Sequence, residues 1–299
     1  MARTRFRRDL GLTGRMSLVM LILGGLYVTV CAWLIASGAS AGIVIFIAVA
    51  LGLGQWYFSD KLAMLSMGAR EVTPEQAPEL HGMIDRLCAL ADMPKPRVAI
   101  ADTDMPNAFA TGRSPNNSVV CVTTGILRRL DPEELEGVIS HELSHVAHRD
   151  VLVMTIAGFL GVMAGLVVRW GFYFGGGRRN NNSGGPAFIV IWLVSMVVYA
   201  ISFLLTRLLS RYRELSADRS GAYLTGKPSA LASALTKISG EMARIPTRDL
   251  REAQAMNAFF FAPAVKGAEI QGLFSTHPPL ERRLDQLAKI SADLSGPVA

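Results

Sequence analysis

Between Met16 and Ala36 the chain carries no formally charged side chain. That is about 20 residues, enough to cross a ~30 Å hydrocarbon core as one helix. A short Ser37–Gly42 break precedes a second uncharged apolar run, Ile43–Phe58. A third, Val151–Phe174, is interrupted only by Arg169, which can snorkel from near its end. A fourth runs from Ala187 to Thr206, after a polar Gly/Arg/Asn loop. The expectation is a membrane protein of four spans, at about 16–36, 43–58, 151–174 and 187–206. Composition agrees, with 51% hydrophobic and only 18% charged residues, against about a quarter charged in globular domains. A basic start and an Ala39-Ser40-Ala41 triplet would suit a cleaved leader. However, the apolar run exceeds a leader's core of about 7–15 residues, and another span follows at once.

The net charge of +6 does not imply a nucleic-acid partner, because the arginines cluster beside the apolar runs. Arg3, Arg5, Arg7, Arg8 and Arg15 precede the first span, and Arg207, Arg211 and Arg213 follow the fourth. The positive-inside rule then puts both termini, and the segment between spans two and three, in the cytoplasm. Four segments follow: a membrane hairpin at 1–58, half of a cytoplasmic domain at 59–150, a second hairpin at 151–206, and the other half at 207–299. The cysteines Cys31, Cys88 and Cys121 form no Cys-x-x-Cys pair, which suits a reducing compartment and argues against a thiolate metal site.

Asp131-Pro132-Glu133-Glu134 reads as a capped helix start. The helix it opens carries His141-Glu142-Leu143-Ser144-His145. Two histidines one turn apart project from one face, and Glu142 stands where it can reach a water held between them. A catalytic zinc needs a third protein ligand and an open position. Glu214 is the expected carboxylate, and Asp218, one turn later, can orient a ligating histidine. By itself the Glu214–Asp218 pair reads better as a solvated helix face. What favours ligation is position: if both helices continue, His145 and Glu214 stand about 9 and 12 Å beyond their spans, at nearly one level. His148 is about 10.5 Å along the axis from His141, too far to share the ion, and His81 has no partner motif. Short strands are expected at Val98–Ile100, Asn107–Thr111 and Val119–Thr123. The apolar Ala255–Val265 segment reads either as core or as a flap beside the cleft.

The paired histidines with Glu142, and the distant Glu214-x-x-Ala217-Asp218, resemble the gluzincin metallopeptidases. Met105–Gly112 and Ser275–Leu284, with its His277-Pro278-Pro279 core, extend the resemblance to the HtpX family of membrane proteases, relatives of the CAAX prenyl endopeptidases. The resemblance implies a mostly α membrane protein of α+β kind, its gluzincin-like cytoplasmic peptidase domain holding a small sheet. It implies one Zn2+ per chain, held by His141, His145 and Glu214, with Glu142 as base. Asn107 and Ala108 would bind the substrate backbone, and His277 would stabilise the oxyanion with Arg283 nearby. Expected substrates are misfolded or damaged membrane proteins and unfolded polypeptides in a bacterial-type inner membrane under stress, with no nucleic acid involved. A prenyl-protein processing peptidase and a non-catalytic membrane scaffold or metal carrier are the rival expectations.

Overall fold

The computed structural model describes residues 10–36, 40–150, 153–154, 185–242 and 277–295. Most of the expected third span and the whole Ala255–Val265 segment lie outside the described residues. Two helices open the chain, α1 (Leu10–Ala36) and α2 (Ala41–Ser66). Then follow β1 (Ala69–Glu71), α3 (Pro78–Ala91), β2 (Arg97–Ala101), β3 (Ala108–Ser114) and β4 (Asn117–Thr123). Next come α4 (Thr124–Arg129), α5 (Pro132–Ala147), α6 (Gly185–Thr225), α7 (Pro228–Met242) and α8 (Leu280–Ser295). The outcome is a mostly helical α+β protein with one small mixed sheet. Among the described residues, the helical stretch Leu193–Thr225 of α6 is long and apolar enough to cross a membrane.

The described residues divide into two compact units. One draws on 10–12, 58–150, 210–242 and 277–295, the other on 13–36, 40–57, 153–154 and 185–209. In the second unit, Val19, Leu23, Val198 and Leu209 form a buried apolar cluster. The first unit contains the sheet, in the order β1-β2-β4-β3. β2 and β4 run parallel, while β1 and β3 pair antiparallel on the outside. β1 was not anticipated: three residues are too short for period-two alternation to register.

Alternation along the longer strands builds two faces. Val98, Ala108, Val120 and Val122 pack with residues of α3, α5, α7 and α8, among them Ile84, Leu87, Ile139, Leu143, Leu231, Leu235 and Leu287. A fully buried leucine or isoleucine contributes about 1.5–3 kcal/mol, so this face is the domain's main core. Ala99, Ala101, Phe109 and Cys121 face the other way, onto Ala63 of α2. Helix α5 starts as the sequence predicts. Pro132 occupies its first turn, and Glu134 Oε2 accepts the Asp131 N–H at 2.9 Å, half of a capping box. From Glu134 to Val146 every residue of α5 is buried. Polar side chains in such a helix must find partners there.

Candidate metal centre

His141 and His145 lie one turn apart on α5, and Glu214 reaches them from α6. One donor atom from each lies within 4.8 Å of the other two, and all three residues are buried. The His141 and His145 Nε2 atoms face one another at 3.2 Å. The Glu214 oxygens stand 3.5 Å from each of them. Donors bound at about 2.0–2.1 Å around a tetrahedral zinc lie about 3.3 Å apart. The spacing therefore fits a cation held between two imidazoles and a carboxylate.

Outside this triad the two Nδ1 atoms are both engaged by carboxylates. His141 Nδ1 is 2.9 Å from Asp218 Oδ1, where the sequence had suggested an orienting aspartate. Arg283 forks onto Asp218, its Nε and Nη2 donating at 2.7 and 2.6 Å. His145 Nδ1 is 2.7 Å from Asp150 Oδ2, and Arg213 Nε pairs with that same oxygen at 3.0 Å. Holding each Nδ1 proton outward turns the Nε2 lone pairs inward, as metal ligation requires. Burial opposes a charge on His141, but Asp218 and Glu214 outweigh it and raise its pKa to about 9. Burial likewise opposes ionisation of Asp150, yet Arg213 and His145 hold its carboxyl below the usual range.

Glu142 points toward the sheet. Its Oε2 accepts the Ala110 N–H at 2.8 Å. The Asn107 carbonyl accepts the Thr123 N–H, and the Asn107 N–H donates to Thr123 Oγ1, both at 2.9 Å. Asn107 thus turns its backbone toward β4, and by strand alternation Ala108 and Ala110 present theirs at the outer edge. The base and the outer strand edge are therefore joined by one hydrogen bond. Burial pushes the Glu142 carboxyl up to about 7, over the opposing charge of His141. His277, just ahead of α8, lies with Nδ1 3.0 Å from Glu214 Oε2.

This is the arrangement of a metallopeptidase, and residues 74–291 match the sequence model of Peptidase family M48. The chain belongs to peptidase family M48. Among its M48 relatives, Protease HtpX homolog 1 of Streptomyces coelicolor is 58% identical, covering 97% of this chain and 96% of that protein. The Protease HtpX homolog of Moorella thermoacetica is 54% identical, covering 98% of each. The crystal structure of S. mikatae Ste24p shares the fold, with a TM-score of 0.55 at 19% identity. That match covers 91% of this chain and 64% of the Ste24p chain. In this M48 metallopeptidase, His141, His145 and Glu214 form the metal-binding group.

His148 and His81 stay outside the metal-binding group, as the sequence reading expected, whereas Arg213 and the end of α5 depart from it. His148 caps the end of α5, its N–H donating to Ser144 O. It is absent from the metal-binding group found among the described residues. His81 is buried, with Nε2 3.0 Å from Val72 O. Helix α5 stops at Ala147, so the assumed unbroken helix is not met on the His145 side, whereas among the described residues Glu214 shares α6 with an apolar run. Arg213, counted in the sequence as a topology arginine, is instead 8% exposed and paired with Asp150. Sequence reasoning missed Asp150, Arg213 and the Ala110 N–H. The one available signal was a carboxylate five residues after His145, and spacing alone gave it no partner.

Proposed function

We propose that this chain is a membrane-anchored zinc endopeptidase that hydrolyses polypeptides entering along the outer edge of β3. The observation that carries the reading is the Glu142–Ala110 hydrogen bond, which joins the general base, its flanking ligands and the strand edge. His141, His145 and Glu214 would hold a zinc ion, which would supply Lewis acidity toward the scissile carbonyl and lower the pKa of a water. Glu142 takes the proton of the attacking water on its carboxylate and passes it to the leaving amine. An extended substrate adds beside β3, using the outward backbone groups of Ala108, with Asn107 fixing the head of that strand. His277 stabilises the oxyanion, and Arg283 acts through Asp218 on His141.

Four membrane spans, cytoplasmic termini and a cytoplasmic site in the plasma membrane complete the proposal. They are supported by the uncharged runs and the arginine distribution. Damaged or unfolded membrane proteins are the proposed substrates. The decisive test is Glu142→Gln. The variant should retain zinc and lose cleavage of an unfolded polypeptide in detergent. Cleavage at the parent rate would remove Glu142 from the mechanism.

A further inference from the structure

Two features around Asp150 remain outside the reaction described above. The first is the backbone of Arg149, which adopts a left-handed φ of 57° immediately after the His148 cap. Non-glycine residues avoid that region, and where they occupy it the surrounding structure holds them there. The left-handed residue follows the end of α5, and Asp150 directly after it meets His145 on the last turn of that helix. The second is the burial of a charge pair: Asp150 is 1% exposed and Arg213 is 8% exposed. Taking both charges out of water is unfavourable unless the geometry is put to use.

We propose that Asp150 and Arg213 are positioning residues for the metal centre, a second carboxylate–arginine couple that does for His145 what Asp218 and Arg283 do for His141. The partner types correspond, although Arg283 forks onto both oxygens of Asp218 while Arg213 meets a single oxygen of Asp150 as an ion pair. Each imidazole has a carboxylate oxygen on Nδ1, at 2.9 Å for His141 and 2.7 Å for His145. Each carboxylate in turn pairs with a buried arginine. Asp150 Oδ2 meets both His145 Nδ1 and Arg213 Nε, so the cation holds the oxygen that orients the imidazole. Arg213 directly precedes Glu214 on α6. The couple therefore links the end of α5 to the helix turn that supplies the third ligand, and sets the distance between His145 and Glu214. Each arginine also neutralises an orienting carboxylate, leaving the donor set with the single negative charge of Glu214.

The proposal rests on the metal-binding reading, and its test keeps the two apart. Zinc affinity of the full chain in detergent is measured by competition with a chromophoric chelator, alongside the melting temperature of the zinc-free protein. Binding by the parent establishes the metal centre; no binding by the parent counts against that reading first. Asp150→Asn should weaken zinc about 10–100-fold, the range for groups that orient metal ligands, and should shift the visible bands of the cobalt-substituted protein. Arg213→Gln should weaken zinc in the same direction, with a smaller further loss when added to Asp150→Asn. A structural tie between the helices predicts lower melting temperatures with parental zinc affinity and cobalt spectra, and that result overturns the proposal. Should Asp150→Asn fail to accumulate folded, Arg213→Gln decides alone: parental affinity overturns the proposal, and a loss supports it.

Discussion

Glycine 221 is where the metal centre depends most directly on helix packing. It lies on α6, one turn after Asp218 and two turns after Glu214, against the turn of α5 that carries His141. A methyl group there would sit 3.0 Å from His141 N and 3.3 Å from both His141 Cα and Ser140 C, all backbone atoms. Ordinary contact begins at 3.4 Å, so Gly221→Ala must part the helices by about 0.4 Å, whereas metal donors tolerate about ±0.2 Å. The substitution also raises helix propensity, by about 1 kcal/mol, against an overpacking penalty of about 1–3 kcal/mol. The net effect on folding is therefore small, between no change and a loss of about 2 kcal/mol. Zinc affinity should fall by about tenfold or more, since both Glu214 and the His141–Asp218 contact move with α6. Gly82→Ala is the control, an exposed position in α3 with nothing within 4 Å of the added methyl. It should gain about 1 kcal/mol and bind zinc as the parent does. Chelator competition and thermal melting of the full chain supply the readouts. If Gly221→Ala binds zinc like the parent and is stabilised as much as Gly82→Ala, the close approach does not govern the site.

Burial raises the Cys88 thiol to about 11 and the Cys121 thiol to about 12, against about 8.5 in an unfolded chain. Both should resist alkylation at pH 8 by peptide-mapped mass spectrometry until denaturant is added, and stability should fall as pH rises from about 9 through 11, because only the unfolded chain ionises readily there. Rapid labelling of native Cys121 at pH 8 would contradict its burial. Gly112 has a φ of 144°, and a methyl there would stand 2.3 Å from Asn117 O. Gly112→Ala should therefore lower the melting temperature and disturb the β3 edge, while a parental melting curve would show that the β3–β4 turn relaxes freely. Reporters fused near Arg70 and after Ala299 should register as cytoplasmic, and one within Asn180–Ser183 as external; a cytoplasmic signal from the last would remove the four-span topology.

Local signals carried much of this protein in its sequence. The i, i+4 histidines, the Asp131 cap with Glu134 three residues on, and the uncharged runs each depend on neighbours a turn or less apart, where helical geometry dictates the outcome. Short runs bounded by polar or proline-containing turns likewise located the three longer strands near their observed positions. Asp218 was legible for the same reason, as a carboxylate one turn beyond Glu214. What tertiary structure alone decided were contacts between segments far apart in the chain. Arg213 joins Asp150 across 63 positions and Arg283 joins Asp218 across 65, and no periodicity reports such a meeting. The left-handed turn at Arg149 gives no local sign, because arginine has no preference for that region and only the surrounding packing holds it there. Ala110 is an unremarkable alanine in sequence. Its part comes from a backbone N–H, and the direction of that N–H was set when β3 took the edge of the sheet and paired with β4 on one side only.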